Sequence, residues 1–153
     1  MAKQIITVIP GDGIGPDIID ATIKVLDKAG CDFEYEYADA GLVALENHGD
    51  LVPESTLALI EKNKIALKGP LTTPVGDGFT SINVTLRKHF QLYANVRPVL
   101  SFKGTKARYE NIDIITIREN TEGMYSGLGQ TLSDDGNYAE ARSLVTREGA
   151  ERI

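Results

Sequence analysis

Short apolar runs alternate with amphipathic stretches along most of this sequence. Residues 5–9 form a β-branched run that ends at Pro10-Gly11, a pattern that predicts a buried strand. Pro16 suits the first position of a helix, and apolar residues follow at helical spacing: Ile19, Ile23, Leu26 and Ala29. Alternation on this scale predicts an α/β fold with a largely parallel sheet flanked by helices.

The same reading assigns the later elements as far as residue 117. Phe33, Tyr35 and Tyr37 alternate with glutamates and predict a half-exposed strand. We expect helices at residues 42–47, 53–63 and 83–90, with Leu57 and Ile60 facing inward. We expect further strands at residues 65–68, 92–96 and 112–117, the last of them buried.

Composition excludes several classes of function. The formal net charge of −6 argues against general affinity for nucleic acid or anionic membranes, which require a basic surface. No apolar stretch reaches the roughly 18 residues of a membrane span, and the first residues do not resemble a signal peptide. Cys31 is the only cysteine, which excludes an intrachain disulfide. We therefore expect a cytoplasmic location.

The last thirty residues differ in character from the rest. Asp134-Asp135-Gly136-Asn137 is a turn signal between two polar segments, which predicts a hairpin with little core of its own. Residues 148–153 have the pattern of a helix that stops without a cap. We expect that this chain is a truncated portion of a longer protein. If it folds alone, we expect either self-association through exposed apolar faces and sheet edges or a rearranged sheet.

Two glycine-rich stretches lie where ligands often bind. GDGIG, residues 11–15, follows a strand and precedes a helix, but it lacks the Rossmann spacing, so a tight turn and an anion site both stay open. LKGPLTTPVGDG is a loop whose lysine precedes the glycines, so it is not a P-loop. Its amides and threonine hydroxyls could line a polar pocket.

Positively charged side chains cluster in SINVTLRKHFQLYANVRP and just beyond it. Asn83 and Arg87 are four residues apart on a predicted helix, and Ser81 lies at its start. Arg97 and Arg118 each follow a predicted strand, and ligands of parallel sheets bind beyond the carboxyl ends of strands. The arginines either bind a small polyanion or form salt bridges, with the acidic candidates Glu119, Glu122 and Asp77.

The roles of three nearby residues also stay open at this point. Glu119 and Glu122 could form an acid/base pair, although glutamates three apart are common on surfaces. Tyr125 could donate a proton, or it could simply pack.

Three blocks in order, IPGDGIGP, KGPLTTPVGDGFTSINVTLRKHFQLYANVRP and IRENTEGMYSG, resemble the β-decarboxylating dehydrogenases. That family includes isocitrate, isopropylmalate, homoisocitrate and tartrate dehydrogenases, and the resemblance covers residues 5 to about 127. Ser81 and Asn83 resemble the isocitrate branch, because isopropylmalate enzymes place apolar side chains there. LYANVRP and IRENTEGMYSG look more like NAD-linked than NADP-linked members.

The resemblance implies roles for individual residues. Those that match ligands of the substrate are Ser81, Asn83, Arg87, Arg97, Arg118 and Lys68. Tyr125 matches the catalytic tyrosine that protonates the carbon left after decarboxylation. Ile14 and Thr73 match residues that contact the nicotinamide part of the coenzyme. The implied ligands are isocitrate or a related 3-substituted malate, NAD, and Mg²⁺ or Mn²⁺.

The resemblance also implies what this chain lacks. The family's catalytic lysine, its metal-binding aspartates and its adenosine-binding loop match nothing in these 153 residues, so we assign no metal ligand and expect negligible activity from this chain alone. Residues 1–98 match part of the large domain, 99–124 the start of the small domain, and 125–153 a dimer-clasping arm followed by a helix start. A homo-oligomer is therefore expected.

Two alternatives to an NAD-linked isocitrate dehydrogenase remain. One is another member of the same family, acting on homoisocitrate, isopropylmalate or tartrate. The other is a non-catalytic protein that binds tricarboxylates or pairs with complete subunits.

Overall fold

The β-branched run near the N-terminus forms the central strand of a parallel sheet in the computed structural model, which describes residues 3–74 and 81–153. Strand β1, Gln4–Ile9, pairs with β2, Phe33–Tyr37, on one side and with β3, Ala66–Lys68, on the other. The last four residues of β1 are buried. The predicted α/β class and the buried first strand are both confirmed.

The chain divides into two compact units, the first ending at Asn83 and the second running from Val84 to Ile153. The first unit contains the parallel sheet and three helices: α1, Gly15–Lys28, α2, Leu42–His48, and α3, Glu54–Asn63. Helix α4, Ile82–His89, spans the boundary. The domain boundaries expected at residues 98 and 124 concern a longer protein and stay a prediction.

Helix α3 buries polar side chains where the sequence predicted apolar ones. Thr56 and Asn63 are buried, whereas Leu57 and Ile60 are only half-buried. The Thr56 hydroxyl donates to the Asp39 carbonyl at 2.7 Å, and the Asn63 amide donates to the Thr7 hydroxyl at 3.0 Å. Each buried polar group therefore has a partner, which removes the cost of desolvating it.

The glycines of GDGIG pack tightly against neighbouring backbone. Gly11 has a φ of +80°, and a Cβ built there would lie 2.1 Å from the carbonyl oxygen of Pro70. A Cβ on Gly15 would lie 2.2 Å from the carbonyl oxygen of Pro10. Close backbone approach explains both glycines, so a tight turn accounts for this stretch without a bound anion.

The second unit is built on an antiparallel ribbon. Strand β4, Ala94–Leu100, pairs with β5, Asp113–Glu119, and a 3₁₀ turn follows at Met124–Ser126. Strands β6, Thr131–Leu132, and β7, Ala139–Glu140, form the predicted hairpin, and α5, Arg147–Arg152, follows. None of the helices in the two described ranges is long and apolar enough to cross a membrane.

Two predictions about this ribbon were wrong. The strand expected at residues 112–117 is exposed rather than buried, with Ile115 at 64% exposure. The parallel pairing predicted for the sheet does not extend to β4 and β5. The connection between them contains no helix, and without a crossover helix two neighbouring strands pair antiparallel.

The exposed ribbon generates a prediction about self-association. The register aligns Val96 with Ile117 and Pro98 with Ile115, so these four apolar side chains share one face. Burial of that face against a second copy removes apolar surface from water. We expect Ile115→Lys to lower the self-association of this chain, as measured by sedimentation velocity over a range of concentrations.

Ile114→Lys is the matched control, because it makes the same change on the opposite face of the same strand. The control should sediment as the wild-type chain does. Equal effects of the two substitutions would show that the face around Ile115 is not the one that associates.

Candidate functional site

Tyr125 contacts two guanidinium groups of the second unit. Arg118 Nη2 donates a hydrogen bond to Tyr125 Oη at 2.5 Å, and the Arg118 Cζ atom lies 5.6 Å from the ring centroid. The Arg87 Cζ atom lies 5.9 Å from the same centroid. Both distances are within the range of a cation–π contact. The structure thus brings together three of the residues predicted for the site.

Arg97 shares a face of the ribbon with Arg118. The register pairs Arg97 with Thr116, so Arg118 occupies the diagonal position on the same face, where neighbours are about 7–8 Å apart. The Arg97 Nε atom donates to Asn95 Oδ1 at 3.1 Å. The sequence placed both arginines beyond the ends of parallel strands. That reasoning was wrong, because Arg97 lies within β4 and its partner strand is antiparallel.

No carboxylate neutralises these arginines within residues 3–74 and 81–153, where Arg87, Arg97 and Arg118 form no ion pair. Asp77, one of the three predicted acidic partners, lies outside the described residues. Glu119 and Glu122, the other two, bind different groups. Among the described residues, the guanidinium groups near Tyr125 therefore have no acidic partner.

Glu119 stabilises the loop that follows β5. Its carboxylate accepts hydrogen bonds from the Thr121 hydroxyl at 2.6 Å and from the Glu122 backbone N–H at 2.8 Å. Burial alone raises the pKa of Glu119, but the Thr121 hydroxyl and three backbone N–H groups outweigh it and lower that pKa to about 2. Glu119 is therefore a structural anion rather than a proton carrier at neutral pH.

Glu122 binds the residue before helix α5. Its carboxylate accepts from the Thr146 hydroxyl at 2.6 Å and from the Thr146 N–H at 2.8 Å, and these bonds lower the pKa of Glu122. Arg152 donates from Nη2 to the Thr121 hydroxyl at 2.7 Å and lies 3.5 Å from Glu119 Oε1. Both glutamates are thus engaged by local donors, which favours a structural role for each over an acid/base pair.

The sequence analysis missed Thr146 and Arg152. The sequence contained a signal for Thr146, because threonine directly before a helix is a common N-cap. In the structure the Thr146 hydroxyl does cap α5, accepting from the Gly149 N–H at 2.9 Å. Arg152 gave no such signal, since its partners lie about thirty residues earlier in the chain.

The remaining predicted residues belong to the first unit. Ser81 lies directly before α4, and Asn83 lies in its first turn. Thr73 Oγ1 accepts from the backbone N–H of Ile82 at 3.3 Å, so Thr73 engages one of the amides at the start of that helix. Lys68 ends β3, and its Nζ atom donates to the Gly69 carbonyl at 2.7 Å. Ile14, at the start of α1, is 67% exposed.

Asp12, which the sequence analysis did not single out, organises the loops around Ile14. It is buried, and its carboxylate accepts from the Thr72 N–H at 2.7 Å and from the Val43 N–H at 3.3 Å. The two loops that contain Ile14 and Thr72 are therefore joined through one side chain.

A cavity of about 570 Å³ opens beside Tyr125 in the second unit. This volume falls within the range of about 300–1,000 Å³ that small-molecule sites occupy. Its lining is mainly apolar, and six of the residues that line it are Arg118, Glu122, Met124, Tyr125, Val145 and Ile153. Within the part of the chain that the structure describes, no three His, Cys, Asp or Glu side chains are grouped to hold a metal ion.

The pKa of Glu119 generates a prediction about acid stability. The pKa of Glu119 is about 2 in the folded chain, against about 4.3 for a free glutamate. The ionised carboxylate therefore stabilises the fold fully at pH values above about 4.3, and this stabilisation is lost as the pH falls towards 2. We expect Glu119→Gln to destabilise the second unit by about 2 kcal/mol at neutral pH and to weaken the pH dependence between about pH 4.5 and about pH 2. Urea denaturation across that interval measures both effects.

Glu140→Gln is the control for acid stability, because Glu140 is exposed and has no ion pair among the described residues. It should leave the pH dependence as in the wild type. A Glu119→Gln variant with an unchanged pH dependence would contradict the assignment.

Comparison with known proteins identifies the family. The model of the family described as "Isocitrate/isopropylmalate dehydrogenase" matches residues 5–153. The chain is 44% identical to a probable NAD isocitrate dehydrogenase subunit alpha from Drosophila melanogaster, over 97% of this chain and 39% of that protein. It is also 44% identical to the NADP isocitrate dehydrogenase of Thermus thermophilus, over 99% of this chain and 31% of that protein.

A crystal structure of isocitrate dehydrogenase from Methylococcus capsulatus superimposes with a TM-score of 0.89 at 47% identity, over 97% of this chain and 44% of that one. The chain thus spans between 31% and 44% of the length of these relatives.

The names of the relatives overturn the predicted cytoplasmic location. The fly relative and a Saccharomyces cerevisiae relative are both named as mitochondrial. The prediction was wrong because composition and hydropathy of a folded region do not encode the cellular address, which separate targeting segments carry. The predicted family, in contrast, is confirmed: this chain belongs to the isocitrate/isopropylmalate dehydrogenase family.

Proposed function

We propose that this chain supplies substrate-binding arginines and the proton-donating tyrosine of an NAD-linked isocitrate dehydrogenase. The observation that carries the proposal is the contact of Arg118 and Arg87 with Tyr125, beside a cavity and without a carboxylate partner among the described residues. The names of the fly and Thermus relatives support isocitrate as the substrate.

The hydrogen bond at Tyr125 suits a proton donor. A phenol oxygen has one proton and lone pairs that accept. Because Tyr125 Oη accepts from Arg118, its own proton is directed to another acceptor. In the proposed reaction, that acceptor is the carbon from which carbon dioxide has departed. Arg118 therefore orients the donor and, through its remaining N–H groups, binds a substrate carboxylate.

Ser81 and Asn83 support isocitrate over isopropylmalate. A hydroxyl and an amide can donate hydrogen bonds to a carboxylate, whereas an isopropyl group has no atom that accepts one. We propose that Arg87, Arg97 and Lys68 contribute further positive charge to the recognition of the substrate. Each role rests on the match of these positions to the family's sequence blocks.

Two residues of the first unit suit the nicotinamide part of NAD. Ile14 presents an exposed apolar side chain, and Thr73 presents a hydroxyl in the loop after β3. A bound dinucleotide would supply the hydride acceptor. We favour NAD over NADP because the fly and yeast relatives are named for NAD, although the Thermus relative is named for NADP.

The described residues do not fit a Mg²⁺ or Mn²⁺ site. Such a site needs several oxygen ligands, and the acidic side chains nearest Tyr125, Glu119 and Glu122, are occupied by hydroxyl and amide donors. We therefore assign no metal ligand among residues 3–74 and 81–153 and propose no catalytic step through a metal.

The first test of this proposal is turnover. We expect the 153-residue chain to reduce NAD at a negligible rate with isocitrate and magnesium. The roles proposed for its residues are substrate binding and proton donation, and none of them is proposed to bind the metal. Absorbance of the reduced coenzyme measures the rate, with a full-length isocitrate dehydrogenase as the positive control. A rate that matches the control would refute the assignment.

The second test is binding. We expect isocitrate to bind more tightly than isopropylmalate in a calorimetric titration of this chain. Arg118→Gln should weaken isocitrate binding roughly 10- to 100-fold, because a hydrogen bond to a charged group contributes about 1.5–3 kcal/mol.

Arg108→Gln is the control for the binding test. Arg108 is exposed, and its guanidinium lies over the ring of Tyr109 instead of Tyr125. Its loss should leave isocitrate binding unchanged. The proposal fails if Arg118→Gln binds isocitrate as the wild type does, or if both arginine variants lose affinity equally.

A further inference from the structure

Glu122 links the segment that contains Tyr125 to the start of helix α5. Its carboxylate accepts two hydrogen bonds from Thr146, and the Thr146 hydroxyl in turn accepts from the Gly149 N–H. We infer that Glu122 is a positioning residue, which acts through Thr146 to hold Tyr125 Oη against Arg118. This inference rests on the proposed function only for the chemical role of Tyr125.

The sequence of α5 accommodates this carboxylate. Gly149 is buried, and a Cβ built on it would lie 2.2 Å from Glu122 Oε2. Glycine at this position therefore allows the carboxylate to reach the helix N-terminus. Negative charge there is also favoured by the helix dipole. The contact therefore needs both Glu122 on the loop, which supplies the carboxylate, and Gly149 on the helix, which leaves room for it.

Hydrogen bonds fasten the segment around Tyr125 to residues 142–146. Glu122 binds Thr146, and Gly123 and Leu144 exchange two backbone bonds, at 2.7 and 3.4 Å. The Arg142 N–H donates to the Leu128 carbonyl at 3.1 Å, and the Ser126 hydroxyl contacts the Arg142 carbonyl at 3.5 Å. Among these bonds, the ones to Glu122 are charge-assisted, and charge-assisted bonds are roughly twice as strong as neutral ones. Lys88 Nζ also donates to the Ser126 carbonyl at 3.0 Å, so Glu122 and Lys88 together hold the turn.

Glu122 is suited to positioning and not to chemistry. Both of its oxygens accept from Thr146, and the side chain is half-buried. Tyr125 lies three residues further on, in the 3₁₀ turn Met124–Ser126. A shift of this turn by a fraction of an ångström would lengthen the bond from Arg118 to Tyr125 Oη and redirect the phenol proton.

The test follows the phenol of Tyr125 by NMR in the 153-residue chain labelled with ¹³C at tyrosine Cζ. Tyr125→Phe identifies the resonance, and Arg118→Gln gives the shift that accompanies complete loss of the hydrogen bond. We expect Glu122→Gln to move the Tyr125 resonance by about half of that reference shift or more, because one of the two oxygens that accept from Thr146 becomes an NH₂ group, which cannot accept.

Two further variants and one control make the result specific. Thr146→Val removes the hydroxyl and should also move the Tyr125 resonance, whereas Thr146→Ser keeps it and should restore the wild-type position. Glu148→Gln is the matched control, because Glu148 lies in the first turn of α5 and forms no ion pair among the described residues. It should leave the resonance unchanged.

A Tyr125 resonance that stays at its wild-type position in Glu122→Gln overturns the inference. If Glu122→Gln fails to fold, Gly149→Ala takes its place. It keeps the acid, places a methyl group against the carboxylate, and should move the same resonance; an unmoved resonance would again overturn the inference. Isocitrate titration of the same samples tests the proposed function separately, since the Tyr125 shift requires no ligand.

Discussion

The carboxylates of Glu119, which ends β5, and Glu122, in the loop after it, accept hydrogen bonds from hydroxyl and amide donors, and the surroundings of Tyr125 depend on this arrangement. Glu119 follows Arg118 directly in the chain, yet its carboxylate turns to Thr121 and to the backbone of the loop. Because these two acids bind other groups, neither forms an ion pair with Arg87 or Arg118 beside Tyr125.

Local signals in the sequence predicted several elements of both units well. The apolar run of β1 and the proline at the start of α1 in the first unit, and the turn of the β6–β7 hairpin in the second, depend on nearby residues, and all three occur where expected. The prediction of which residues of α3 face inward was wrong, because the burial of Thr56 depends on a carbonyl acceptor seventeen residues away. Helical periodicity contains no information about such a partner.

The sequence between β4 and β5 contained a signal for antiparallel pairing that our prediction did not use. Residues 101–112 connect β4 to β5 without any helix, and a parallel pair would have required a crossover, usually helical. For the site, the family's sequence blocks named Arg118 and Tyr125, but no pattern predicted that one donates to the other. Thr146 was within reach as an N-cap, whereas Arg152 meets Thr121 only through the folded chain.

The two arginines at Tyr125 differ in what they can control. The Arg87 guanidinium lies over the ring of Tyr125 and is attracted to its π-system. This attraction does not set the direction of the Tyr125 hydroxyl. Arg118 donates to the oxygen itself and so determines where the remaining lone pair and the proton point. The orientation of the phenol therefore depends on β5, which supplies Arg118, and on the loop that supplies Tyr125. Both ends of that hydrogen bond border the segment that the half-buried Glu119 and Glu122 stabilise, so the two glutamates help to position Arg118 and Tyr125 without forming an ion pair with Arg118.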